Sequence, residues 1–172
     1  KTWDIFINNG SIIILNNFDC SFINITGYKK LNGSQLLKEN ITYILNSLKS
    51  AVNEIEKKKI ILHIFNSKYC LDNKKIENLP IGLFGDFYSH ELSFCLIDNN
   101  DFKNLSNIFT KCNLKIKKIL LKSFVEGTYL NSRNQDLETF FNLSINEQYS
   151  QISYFKNDAL KYEQHFNFGS NI

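Results

Sequence analysis

Apolar residues recur along this chain with three different periods, and each period predicts a different element. Between Leu37 and Ile55 they fall at Leu37, Ile41, Ile44, Leu45, Leu48, Val52 and Ile55. That three-and-four spacing gathers them on one face of a helix. Ser34 precedes the run as a helix N-cap, and Lys57-Lys58-Lys59 follows it, where a helix C-terminus favours cations. Short apolar runs at 3–7, 11–15 and 21–25, the first two separated by Asn8-Asn9-Gly10, predict strands. Residues 59–65 (KIILHIF) form a continuous run with β-branched residues, too short for a second helix. They read as a buried strand, and His63 within them as a core or face histidine rather than a catalyst. A loop around Pro80 and Gly85 is followed by a strand over 88–98, and Asp98, Asn99 and Asn100 then offer N-caps for a helix carrying Phe102, Leu105, Ile108, Phe109 and Cys112. A strand over 115–122 and a short helix over 124–130 come next.

Beyond the polar stretch 131–136 the period changes to two. Phe141, Leu143 and Ile145 alternate with polar neighbours, and Ile152 and Tyr154 follow. Leu160, Tyr162, Gln164, Phe166 and Phe168 then alternate with Lys161, Glu163, His165 and Asn167. This predicts three strands, the last two joined by a tight turn at Lys156-Asn157-Asp158-Ala159, where Asn and Asp tolerate a left-handed backbone. His90 and His165 occupy polar positions of alternating strands and are expected to face solvent. The pattern as a whole predicts an α+β fold, an α+β lobe followed by the start of a β-rich one.

Composition narrows the function classes. With 172 residues, 43% hydrophobic and 14% aromatic, the chain has enough material for a core and is no disordered tail. Its formal charge of +3 comes mostly from dispersed lysines, without the clustered basic face of a nucleic-acid binder. Cys20, Cys70, Cys95 and Cys112 show neither a C-x-x-C pair nor a histidine at metal-ligand spacing, and read as small apolar residues in a reducing compartment. No signal peptide and no apolar run of membrane-spanning length is present, so a soluble, cytoplasmic chain with no direct membrane insertion is expected. The chain opens on Lys1 rather than Met, and Phe168-Gly169-Ser170-Asn171-Ile172 reads as a glycine turn opening a helix. Both features suit a fragment of something larger.

Several segments, in order, resemble the bacterial cell-division FtsA family, membrane-recruited relatives of actin. Ile61-Leu62-His63-Ile64 is similar to the family's "ILHVIP" strand, and residues 79–85 (LPIGLFG) to its "PLGMSG" turn. Leu92 to Ile97 stands where the family has "EVHIVT"; Lys103-Asn104-Leu105 with Thr110-Lys111-Cys112-Asn113-Leu114 resembles its "LxNLxKCxERxGL" helix. Residues 118–123 (KILLKS) occupy the place of "DLVLEP", residues 153–160 (SYFKNDAL) resemble "IAVFKDGAL", and Gly169 with Ile172 fits a "VGGDHI" turn. The resemblance implies two parts: residues 1–124 as the inserted 1C or SHS2 subdomain, a small sheet with two main helices, and residues 125–172 as the incomplete start of the second actin-like (ribonuclease H-like) half.

One departure bears directly on chemistry. Where actin-like ATPases carry a "DIGGGTTD" phosphate loop, this chain reads Ser144-Ile145-Asn146-Glu147-Gln148-Tyr149-Ser150-Gln151. Glycines let backbone N–H groups approach phosphate oxygens, and the flanking carboxylates handle the metal and its waters. Here the glycines are replaced by Asn146, Glu147 and Gln148, and the carboxylates by Ser144 and Gln151. No nucleotide-binding, catalytic or metal residue is therefore carried over. The resemblance implies a non-enzymatic adaptor that forms filaments with itself and, in the full-length protein, tethers the tubulin-like FtsZ to the cytoplasmic face of the inner membrane and meets late division proteins. An ATP-binding actin-like ATPase with a divergent loop, and the related PilM pilus-assembly adaptor with a peptide partner, are the alternatives. The expected contact surface is the exposed side of the 102–112 helix, with Lys103, Asn104 and Lys111, together with the strand at Ser89, His90 and Glu91.

Overall fold

A computed structural model describes residues 10–16, 18–134 and 137–171. The expected strand over 3–7 lies outside the described residues. In order, the chain forms β1 (Ser11–Leu15), β2 (Cys20–Lys30), α1 (Lys38–Ile55), β3 (Lys59–Leu71), β4 (Lys74–Ile76), β5 (Phe87–Asp98), α2 (Asn99–Lys111), β6 (Ile116–Leu121), α3 (Lys122–Arg133), β7 (Thr139–Ile145), β8 (Ser150–Lys156) and β9 (Ala159–Phe166). Among the described residues no helix is long and apolar enough to cross a membrane.

The elements make three sheets. β1 pairs in parallel with β6; β2, β5, β3 and β4 form an antiparallel four-stranded sheet in that order; β7, β8 and β9 form an antiparallel meander. β5 is the axis of the largest sheet, paired with β2 over Cys20 to Lys30 and with β3 over Lys59 to Leu71. Side chains alternate between the faces of a strand, so β5 serves two cores. Tyr88, Leu92, Phe94 and Leu96 meet Ile44, Leu48 and Val52 of α1 on one side. On the other, Cys95 joins a second core that includes Leu15, Ile119 and Leu121 of the parallel pair and Phe155 and Leu160 of the meander. Bulges at Ile61/His63 and Asn66/Lys68 in β3 put Ile61 and Ile64 in the first core and Leu62 and Phe65 in the second, which is how a continuous apolar run fits a sheet buried on both faces.

Local chemistry accounts for most boundaries. Asp98 caps α2 by accepting a hydrogen bond from the Asn100 backbone N–H at 2.7 Å. The expected cap Ser34 instead sits in a turn, its N–H donating to the Leu31 carbonyl; the N-cap of α1 is Leu37, whose N–H donates to Asn40 Oδ1. β4, which the pattern did not predict, is turned back on β3 by Asp72 and Asn73 at φ of 50° and 66°. The 156–159 turn is as expected, with Asn157 and Asp158 at φ of 50° and 61°.

The meander reverses an expectation. Its period-two pattern is present, but Phe141, Leu143, Ile145 and Tyr162 point outward, 49–66% exposed, while Lys161 and Glu163 are buried at 6% and 9%. His165, expected in solvent, is half-buried and paired with Glu163. The reason lies in the neighbour: the inner face of β9 meets the polar side of β5, so polar groups turn inward to find partners.

α3 is held on the meander through a glycine. A Cβ at Gly127 would stand 2.1 Å from Cζ of Phe155, whose ring stacks on Phe140 at 4.8 Å. Gly127→Ala gains about 1 kcal/mol of helix propensity but forces overpacking that costs about 1–3 kcal/mol. A lowered denaturation midpoint is expected, partly restored by Phe155→Leu in the same chain; a raised midpoint for Gly127→Ala contradicts the packing.

Candidate functional site

The expected contact surface divides. Lys103, Asn104 and Lys111 are exposed along α2. The β5 residues are not on that surface, because β5 is central and covered on both faces: Ser89 is half-buried, and Glu91 is tied to Lys161 and Ser67. His90, read as solvent-facing, is buried at 4%, its ring beside Tyr69 and its Nε2 3.1 Å from Asn66 Oδ1.

The loop in place of the phosphate motif is a closed turn. Ser144 and Gln151 are cross-strand partners, and the Asn146 N–H donates to the Tyr149 carbonyl at 2.9 Å. The carbonyls of Asn146 and Glu147 accept from the N–H groups of Ser170 and Asn171, with Gly169 so close that a Cβ there would meet Asn146 O at 2.2 Å. That side of the turn is thus taken up by backbone hydrogen bonds to Ser170 and Asn171 and by the close approach of Gly169. Among the described residues no group of three His, Cys, Asp or Glu side chains is arranged to hold a metal.

A cleft of about 630 Å³ lies between the four-stranded sheet, α3 and the meander. One wall is Ile64–Tyr69 of β3 with β4 beyond it; the base includes Phe124 and Asn131 of α3; the far wall includes Glu138 and the Asn157–Asp158 turn. Phe65 and Phe124 touch with ring centroids 4.7 Å apart, giving the cleft an apolar base. Lys75 of β4 crosses one end, its Nζ 3.0 Å from Glu138 Oε1 and 3.3 Å from Asn157 Oδ1. Asn131 Nδ2 donates to Asp158 Oδ1, joining the base to the far wall. His63 packs beside Phe65 and Phe124; burial, then Lys118, lowers its pKa, so the ring stays neutral.

The wall at β3 has a property that side chains alone do not reveal. β4 pairs only with Tyr69, Cys70 and Leu71. The outward edge of β3 ahead of Tyr69 therefore has no strand beside it among the described residues. Sequence reasoning named none of the cleft residues as a site; only the Asn157–Asp158 turn was visible, as a turn. The cleft is assembled from β3, β4, α3 and the meander, distant in sequence and individually without a motif.

No family model matches the chain, and no curated protein matches it. Among solved structures, the chain is similar to one titled PilM-PilN type IV pilus biogenesis complex, with a TM-score of 0.58 at 8% identity. The match covers 92% of this chain and 42% of that one, so the chain spans less than half the length of its structural neighbour. This supports the mixed α+β, actin-like part of the expected fold and does not single out the FtsA family or its SHS2 subdomain.

His90 gives the first core a pH dependence. Burial lowers its pKa from 6.5 to about 4, so the unfolded chain takes up a proton at a pH where the folded chain does not. Its contribution is complete above pH 6.5, declines as pH falls, and is gone near pH 4. The expected loss across that window is about 3 kcal/mol. Urea denaturation at pH 7 and pH 4.5 reads it; His90→Gln is expected to flatten the slope, and an unchanged slope removes His90 as the cause.

Proposed function

We propose that this chain is the protein-recognition part of an actin-like assembly adaptor and holds a short extended segment of a partner protein in the cleft beside β3. The observation that carries this reading is the unpaired edge of β3 along an apolar-based cleft. An extended peptide satisfies such an edge with main-chain hydrogen bonds and places alternate side chains in the adjoining pocket. The two bulges in β3 bracket His63 to Asn66, which limits an added strand to a few residues and disfavours edge-to-edge aggregation.

Between the expected adaptor classes, the pilus-assembly type is favoured over the cell-division type, because the structural neighbour is a complex of PilM with PilN. The protein then acts in the cytoplasm, at the inner membrane, through its partner. Filament contacts with itself, FtsZ tethering and late division partners belong to the cell-division reading, which the exposed row Lys103, Asn104 and Lys111 keeps as the second one. In both readings the 144–151 turn does no nucleotide chemistry, since its carbonyls are turned to the segment that follows β9.

Selection of a random twelve-residue peptide phage library on the chain tests the first reading. Peptides are expected to emerge whose binding is weakened at least about tenfold, or about 1.4 kcal/mol, by Asn131→Trp or Lys68→Glu, which fill or recharge the cleft. Lys103→Glu with Lys111→Glu is expected to leave that binding unchanged. Failure to select peptides, or selected peptides sensitive only to the α2 pair, contradicts the cleft.

A further inference from the structure

The inner face of β9 brings an unusual set of groups against the four-stranded sheet. Lys161 Nζ lies 2.6 Å from Glu91 Oε1, and the same oxygen accepts from Ser67 Oγ at 3.1 Å. Ser93 Oγ donates to the Leu160 carbonyl at 2.8 Å, and Asn24 Nδ2 to the Lys161 carbonyl at 3.3 Å. Two residues further along β9, Glu163 accepts from Ser123 of α3 and pairs with His165. Lys161 is buried while the Glu91 side chain is half-buried, so desolvation, mainly of the ammonium, offsets part of their attraction, and the pair is weak evidence for stability; the best-attested use of such a pair is to fix one register among several.

The position of the pair gives that register a consequence. Ser67 lines the near wall of the cleft and is bonded to Glu91. Lys161 stands three residues beyond Asp158, which lines the far wall. Glu91 thus connects, through one carboxylate oxygen, the strand that bears one wall to the strand that bears the other. Burial by itself raises the Glu91 pKa, but the Lys161 hydrogen bond and charge, Ser67 and Lys156 outweigh it and hold the group ionised.

We infer that the Glu91–Lys161 pair, with Ser67, is the strut that sets the spacing of the two cleft walls. Glu91 and Lys161 are positioning residues for whatever the cleft holds. The inference rests on the cleft being the binding site only for its functional meaning; the strut itself is testable without a ligand.

The test is hydrogen–deuterium exchange on the full chain, comparing wild type with the neutral pair Glu91→Gln plus Lys161→Met, which removes both charges at similar volume. Those amides of residues 64–69 that bond to β5, and the Asn157 amide that donates to Glu138, are expected to exchange at least about tenfold faster in the variant, while the denaturation midpoint and the amides of α1 stay as they are. The charge swap Glu91→Lys plus Lys161→Glu is expected to restore slow exchange at the walls. Uniformly faster exchange with a lowered midpoint assigns the pair to general stability and overturns the inference, as does unchanged exchange. Peptides selected on the wild type are expected to bind the neutral-pair variant at least about tenfold more weakly. If no peptide binds the wild type, the proposed function fails while the exchange result still decides the strut.

Discussion

A buried ammonium group must find a carboxylate, and Lys161, 6% exposed, finds Glu91 on the opposite sheet. That pairing, together with Phe155, Ala159 and Leu160 in the second core, seats the meander on the rest of the molecule. β9 cannot slip by one residue in its ladder with β8 without turning Lys161 to the outer face and Tyr162 toward the polar side of β5. The seating of β9 in turn places the Asn157–Asp158 turn across from β3 and so gives the cleft its far wall. The apolar outer face of the meander, with Phe141, Leu143 and Ile145, follows from the same constraint.

β5 makes this possible because its two faces differ. The face under α1 carries Tyr88, Leu92, Phe94 and Leu96, an ordinary helix-on-sheet core. The opposite face carries Glu91 and Ser93 before it returns to Cys95 in the second core. Polar groups there are affordable only with partners in place, and β9 and β3 provide them. His90 is the exception on the apolar face, kept neutral by burial among Tyr69 and Tyr88.

The elements were largely legible in the sequence because their signals are local. The apolar stripe of α1, the Asp98 cap of α2 and the Asn157–Asp158 turn each depend on residues a few positions apart. β4 was missed because three residues carry no period; only the Asp72-Asn73 turn announces it. The side of β9 was misread for a different reason. Alternation tells which residues share a face but not which face is inside, and the usual assumption that apolar means inside fails when the neighbouring strand presents Glu91 and Ser93. The cleft was invisible for another reason: its walls are joined by contacts across long sequence separations, such as Lys75 with Asn157 and Lys161 with Glu91.

A structural neighbour at 8% identity shows the fold alone, and the proposed recognition rests on the cleft. The most direct measurement is an amide chemical-shift map of the isotope-labelled chain titrated with a selected peptide. The largest shifts are expected on Ile64 to Tyr69, Asn131 and Asn157, tracing the β3 edge and the facing turn. Shifts confined to the exposed side of α2, around Lys103 and Lys111, contradict that expectation and return recognition to the surface first expected from the sequence.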